Sequence, residues 1–424
     1  TAANDSQYNR YECEMQQMAG AFERLGFEPN FINLNDLAAG AYTNYKVLVL
    51  PRNMRVDRTV PGYTNGVLNF LRTKVIPKGV HILASADLPG MQDANGKFLA
   101  DFSNEVKQLF GIEAGDIGGF EVAPRTGNYI GSNAVQITVT FTNTMGALTN
   151  KYRIEPYVWK YNDEVRATNS SLIRAMMDTR RNKGFEDNAN LVGWWTWGSN
   201  ITVSKTSPME GTNCLMMKGT SGIWQEFPVA AGGRYTASAY FRSLTTNPLN
   251  GAQAYVAIEW RDAAGGLLGT AESAHLTTNT TTNAWVRYAV DAYAPEGAIK
   301  GRRVIRVDGA NKGALYVDNY QRSPALVVKS HGTAKTAIFL YSAGDMLPDG
   351  NGDGLMDPIP WKWRYDIFGS VLTNYFTVKP AVSLSGNNAY LCMPEYRTLA
   401  DGSTLWQIKN YMYDQAYPAS WTTL

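Results

Sequence analysis

Between residues 184 and 322 the chain concentrates aromatic and charged side chains at the two-residue period of a strand. In YVAIEWRDA, alternation puts Val256, Ile258 and Trp260 on one face and Tyr255, Ala257, Glu259 and Arg261 on the other. The first set reads as core. The second joins an aromatic ring, a carboxylate and a guanidinium. Binding a sugar takes such a set, with a flat face for pyranose C–H groups and planar polar groups for vicinal hydroxyls. In TASAYFR, Tyr240 and Arg242 likewise fall opposite Ala237, Ala239 and Phe241. Trp194, Trp195 and Trp197 crowd one turn and cannot all be buried in one direction, so at least one is expected at the surface. These eight residues (Trp194, Trp195, Trp197, Tyr240, Arg242, Tyr255, Glu259, Arg261) are the candidate carbohydrate-binding set. Core and rim aromatics of an ordinary sandwich would account for any one of them, whereas the cluster favours a binding face.

A second chemistry is offered by PDGNGDGLMDP. Asp349, Asn351, Asp353, the backbone carbonyl of Leu355 and Asp357 supply hard oxygen ligands, and Gly352 and Gly354 permit the tight turn. The spacing D-x-N-x-D-G-x-x-D follows the first nine positions of an EF-hand loop. Position 12, where that loop has a bidentate Glu, is Pro360. Calcium is the expected ion, and an Asp/Gly-rich solvent loop is the alternative.

Composition narrows the partners. Lys plus Arg is 39 and Asp plus Glu is 37, a formal net charge of +2, so the concentrated basic face that nucleic acid or an anionic membrane requires is not expected. No apolar run approaches the roughly 20 residues of a spanning helix, and TAANDSQYNR lacks the basic start and apolar stretch of a signal peptide. Cys13, Cys214 and Cys392 lie too far apart for a disulfide framework or zinc site, and His81, His275 and His331 are not at metal-ligand spacing.

The elements that must position these residues fall into four stretches. Residues 1–183 begin as α/β: Tyr11, Met15, Met18, Phe22 and Leu25 mark an amphipathic helix ended by Gly26. Strands are expected at 31–34, 47–50 and 80–84, with helices at 67–76 and 102–110. Helices alternating with apolar strands imply a parallel, doubly wound sheet, although the chain opens on a helix where such a domain opens on a strand. Residues 184–322 show eight or so strands separated by Gly-, Asn- and Thr-rich turns, which reads as a jelly-roll β-sandwich. Residues 323–380 return to two apolar strands and a helix near 361–375. Residues 381–424 alternate again, as the start of a further β domain.

Two blocks carry a resemblance. YECEMQQMAGAFERLGFEPNFINLNDL, NYKVLVLPRNMRV, LNFLRTKVIPKGVHILAS and NEVKQLFGI, with an echo in HGTAKTAIFLYSAGD, resemble the trimerisation domain of bacterial family 42 β-galactosidases and related glycoside hydrolases. That likeness implies a flavodoxin-like fold akin to class I glutamine amidotransferases, and a homo-oligomer, a trimer in that family. The amidotransferase nucleophile is missing: VHILAS runs into Ala86, Asp87, Leu88 and Pro89, and Cys13 lies in a helix with no histidine near it in sequence. KGFEDNANLVGWWTWGSN, GTNCLMMKGTSGIWQEFPVAAGGRYTASAYFRS, AYVAIEWRDAAGGLLGT, TNAWVRYAVDAYAPEGA and GALYVDNYQ are similar to the β-sandwich carbohydrate-binding modules of xylanases and glucanases. The resemblance implies a structural Ca²⁺ joining the first strand to the last, for which Glu186, Asp187 and Asp318 are the candidate ligands. The α/β pattern resumes after this module, as if the module were inserted into it.

Hydrolytic chemistry has less support. Glu155, Glu164, Glu259 and Glu395 are available, but no series of eight βα units frames a pair of them and G-x-S-x-G is absent. The expectation is therefore a non-catalytic portion of an extracellular bacterial enzyme that degrades polysaccharide or galactoside, with polysaccharide or oligosaccharide as ligand. A surface-assembly protein is the alternative, and an intact glycoside hydrolase the third.

Overall fold

The structure is a computed structural model of the 424-residue chain. It describes residues 15–51, 60–63, 66–85, 103–113, 137–141, 151–154, 166–178, 182–186, 191, 193–229, 231–232, 234–277, 283–309, 312–320, 322–341, 343, 358–386, 389 and 392–410.

Helix α1 (residues 15–24) presents the expected stripe: Met18, Phe22 and Leu25 are buried. Gly26 ends it at φ +82°, with the Val382 carbonyl packed where a Cβ would project. The strand expected at 31–34 does not form. Asn33 instead caps α2 (Leu34–Ala38), accepting from the Asn35 and Asp36 amides while Asp36 accepts from the Asn33 amide. That capping box turns a stretch of strand-like composition into a helix start. Helix α3 (Val67–Phe70) continues as wider and tighter turns to Lys78. Helices α4 (Ser103–Phe110) and α5 (Pro358–Gly369, continuing to Tyr375) follow.

Seven strands form the main sheet: β1 (Val47–Pro51), β2 (His81–Ser85), β4 (Ile137–Phe141), β5 (Lys151–Ile154), β7 (Leu172–Asp178), β19 (Arg322–His331) and β20 (Ala334–Phe339). The short strands β3 (Ile112–Glu113) and β6 (Arg166–Ala167) pair with each other. The order in the main sheet is β1-β2-β20-β19-β7-β4-β5. Only β1, β2 and β20 run parallel; the other four pair antiparallel. The parallel sheet expected from the sequence is thus confined to three strands. Helices cover both faces there. On β20, Thr336 donates to the Leu109 carbonyl of α4, while Phe339, an odd number of residues on, meets Phe368 of α5 edge-on at 5.6 Å.

Strands β7 and β19 pair directly, from Arg322 opposite Asp178 to Val328 opposite Leu172. The residues between them in sequence form a β-sandwich. Its strands are β8 (Trp195–Gly198), β9 (Ile201–Ser204), β10 (Cys214–Met217), β11 (Ser221–Pro228), β12 (Arg234–Arg242), β13 (Ala252–Arg261), β14 (Leu267–Glu272), β15 (Leu276–Thr277), β16 (Val286–Tyr293), β17 (Lys300–Gly309) and β18 (Leu315–Asp318). One sheet has the order β16-β12-β18-β10-β9. The other has β14-β13-β17-β11-β8, with β15 also on β13. Alternate residues of each fill the space between: Leu215, Ala237, Phe241 and Val317 against Ile223, Val256, Ile258, Trp260 and Ile305. Each large side chain so buried contributes about 1.5–3 kcal/mol. Strands β21 (Cys392–Thr398) and β22 (Thr404–Asn410) form an antiparallel hairpin. No described helix is long and apolar enough to cross a membrane.

Candidate functional site

The residues that alternate with that core point outward from the six-stranded sheet, and the strand register sets them in three rows. Trp197, Gly222, Arg306 and Tyr255 make the first, on β8, β11, β17 and β13 in turn. Trp195, Trp224, Val304 and Ala257 make the second. Glu226, Arg302 and Glu259 make the third. From β8 to β13 is three strand steps, about 14 Å at about 4.8 Å each.

Two aromatic planes occupy one side. Trp195 is 65% exposed and stacks on Trp224, with centroids 5.4 Å apart and planes 13° from parallel. The Arg302 guanidinium lies 3.9 Å from the Trp224 ring centroid, an added cation–π attraction that fixes the ring. Trp197 lies against Gly222, where a Cβ would come within 2.5 Å of the indole, and Arg306 sits 5.2 Å from its centroid. A side chain at 222 would displace Trp197, which explains the glycine.

Paired polar groups occupy the rest. Arg302 donates to Glu226 at 3.0 Å, Arg306 to Asp308 at 2.7 Å and Arg261 to Glu259 at 2.7 Å. His275 lies between Glu272 Oε2 (3.1 Å) and Gln253 Oε1 (3.0 Å) and stacks on Tyr255 at 4.4 Å. The Tyr255 hydroxyl donates to Asp308 at 2.6 Å; burial, then the Asp308 carboxylate, hold its proton on well above the usual phenol range. The same carboxylate holds Arg306 charged. The surface is thus aromatic on one side and carries pre-oriented, charge-neutralised donor–acceptor pairs on the other, the arrangement that suits a neutral polyol better than an ion.

The structure brings five of the eight candidate residues to this face: Trp195, Trp197, Tyr255, Glu259 and Arg261. Tyr255 is 4% exposed, so it supports Asp308 and His275 from beneath and does not offer an open ring. Trp194 turns the other way, packing on Phe185 at 5.7 Å and donating from Nε1 to the Asn182 carbonyl. Tyr240 and Arg242 point outward from the five-stranded sheet on the far side. There Tyr240 meets Tyr320 edge-on at 5.6 Å and Arg242 donates to the Ser207 carbonyl. Alternation assigns a residue to a face of its own strand, not to one of the two sheets. Trp224, Arg302, Arg306, Asp308 and His275 are additional members, and the same alternation in GIWQEF and RRVIRVD would have found all but His275.

Asp318 is fully buried and accepts from the Met209, Glu210 and Asn319 amides. Burial pushes its carboxyl up to about 7; those amides pull it down, and the nearby Glu186 charge adds to the rise. Glu186 accepts from the Thr212 amide and hydroxyl and the Asn213 amide. These bonds occupy Glu186, whereas Oδ1 of Asp318, with one donor, keeps a lone pair for a cation. Among the described residues no three His, Cys, Asp or Glu side chains gather as a metal site. Asp187 and the candidate loop Asp349, Asn351, Asp353, Leu355 and Asp357 lie outside the described residues.

No protein-family model and no curated protein matches the sequence. Among solved structures, the chain is similar in part to the xylan-binding domain CBM22-1 of Paenibacillus barcinonensis Xyn10C, at 17% identity over 33% of this chain and 90% of that one, TM-score 0.27. It is also similar to TmCBM61 in complex with β-1,4-galactotriose, at 16% identity over 35% and 97%, TM-score 0.25. A third is the enzymatically active domain of tailspike protein 4 of bacteriophage CBA120, at 14% identity and TM-score 0.26; 34% of this chain is covered and only 20% of that chain's length.

Proposed function

We propose that this chain binds polysaccharide or oligosaccharide on the outer face of the six-stranded sheet and serves a polysaccharide- or galactoside-degrading glycoside hydrolase without catalysing hydrolysis itself. The observation that carries this is the exposed Trp195 stacked on Trp224, with the Arg302–Glu226 and Arg306–Asp308 pairs beside the two rings. A pyranose laid on Trp195 would put its hydroxyls within reach of side chains already held in place, so little side-chain entropy is lost on binding. Glu226 and Glu259 flank Arg302, yet each is engaged by a guanidinium, which suits positioning a sugar better than protonating a glycosidic oxygen.

The proposal extends to the rest of the molecule. The α/β unit would be the degenerate, oligomer-forming, flavodoxin-like domain that its motifs resemble, and the sandwich would hold glycan near a catalytic domain, raising the effective concentration of substrate there. Its place of work would be extracellular. A structural calcium would be held by Asp318, whose buried carboxylate is short of compensating charge.

The test is retention on xylan, β-glucan, galactan, agar and pectin with simultaneous assay of released reducing sugar. The expected result is retention without release, strongly weakened in Trp195→Ala. Release of sugar would make the chain an enzyme, and absence of retention on every glycan would favour an assembly role.

A further inference from the structure

The sandwich joins the main sheet through two crossings of the chain, one after Asp178 of β7 and one before Arg322 of β19. Segments that join two units of a chain usually lie exposed and make few contacts across the boundary, which leaves the units free to swing. These crossings are built the other way. In the first, Asn182, Lys183 and Phe185 are all buried. Phe185 sits in the core of the sandwich and packs on Trp194, whose indole N–H donates back to the Asn182 carbonyl at 2.9 Å. The Lys183 ammonium reaches the hydroxyl of Ser323 on β19 at 3.4 Å, so the outgoing crossing is bonded to the returning strand. Asn182 and Phe185 hold φ at +46° and +57°, a conformation that residues with a side chain keep only where their surroundings over-determine it. In the second crossing Asn319 is buried. Its side chain donates to the Ser238 carbonyl of β12 at 3.0 Å and accepts the Tyr320 amide at 2.9 Å, and Tyr320 meets Tyr240 of the same strand edge-on.

We propose that this double junction locks the sandwich to the α/β unit, so that the two move as one body and the sandwich does not swing on a tether. A hinge works by letting a few connecting residues change φ and ψ. Here any such change must draw Phe185 out of a packed core, break the Trp194 bond to Asn182, or part Asn319 from β12. One anchored crossing alone still permits rotation about that point. The second crossing, anchored to a different strand, and the Lys183–Ser323 bond between the two remove that freedom. The outer face of the six-stranded sheet therefore keeps one direction relative to the main sheet, and whatever binds there is oriented as well as held. The lock does not depend on the glycan proposal.

The test is amide ¹⁵N relaxation of the full chain, read separately for the strands of the sandwich and those of the main sheet. One rotational correlation time for both is expected. Inserting Gly-Ser-Gly-Ser after Lys183 and again after Tyr320 should free the sandwich, whose correlation time should then fall at least ~1.5-fold below that of the main sheet, because such linkers behave as flexible coil. Two results would overturn the proposal. Separate correlation times in the unaltered chain would mean that the junction yields, a result that needs no variant to fold. A single correlation time after both insertions would mean that some other contact, and not the junction, holds the sandwich.

Discussion

Trp195 and Trp197 are two positions apart on the same face of β8, yet they do different work. Trp195 is open to solvent, so Trp195→Ala should weaken glycan binding by about 2 kcal/mol, the loss typical of a stacking hot spot, with little change in melting temperature. Titration calorimetry and a thermal melt would separate the two effects. Gly222→Ala tests Trp197 without touching any ligand: the new Cβ needs the space the indole occupies, so glycan affinity should fall while the far sheet stays unperturbed by NMR. Tyr255→Phe should keep the fold and cost about 1 kcal/mol, the net worth of one hydrogen bond, because Arg306 still holds Asp308. Alternation in YVAIEWRDA assigned Tyr255, Glu259 and Arg261 to one outward face, and the crowding of Trp194, Trp195 and Trp197 put at least one of those rings at the surface. The burial of the Tyr255 ring was not legible, because Arg306 on β17 and His275 in the turn between β14 and β15 lie against it, and no local pattern records that.

At the scale of elements, two histidines tie α4 and α5 to the main sheet. His81 stacks on Phe376 at 4.9 Å and accepts the Lys335 amide. His331 Nε2 faces the Leu109 carbonyl and the Thr336 hydroxyl. Burial is the main reason each imidazole sits below its ordinary range. Lys335 and Lys46 lower His81 further. For His331 the Leu109 carbonyl opposes the shift, while Lys329 and Arg72 add to it. The unfolded chain therefore takes up protons near pH 6.5 while the folded chain does not. Stability is full above that pH and falls as pH drops from about 6.5 through the folded values. Melts between pH 7.5 and 5 should show the α/β transition dropping, and His331→Gln, which cannot titrate, should flatten the slope. The proposed calcium is tested at this scale as well: ion at 100 times its dissociation constant should stabilise the sandwich by about 2.7 kcal/mol, and Asp318→Asn should remove that dependence in calorimetry. The helix stripes and the sandwich strands could be read from period. The capping box at Asn33 carried its own signal in NLND, which the apolar run before it masked.

At the scale of the whole molecule, β7 and β19, which flank the sandwich in sequence, pair directly. Paired strands stand about 5 Å apart, so a short turn can replace residues 184–320. The shortened chain should fold with an unchanged α/β melting transition and no glycan retention; a molten product would mean that the sandwich is needed for the sheet to close. What the sequence could not reveal is the antiparallel half of that sheet, because strand direction follows from tertiary pairing and not from composition. The central claim is that one outer face of the sandwich, and not the other, meets the glycan. Oligosaccharide titration followed by the indole N–H signals of the 11 tryptophans tests it most directly. Shifts confined to Trp195, Trp197 and Trp224 are predicted. Shifts centred on Trp285, beside Arg242 on the five-stranded sheet, or no shifts with any glycan that the chain retains, would contradict it.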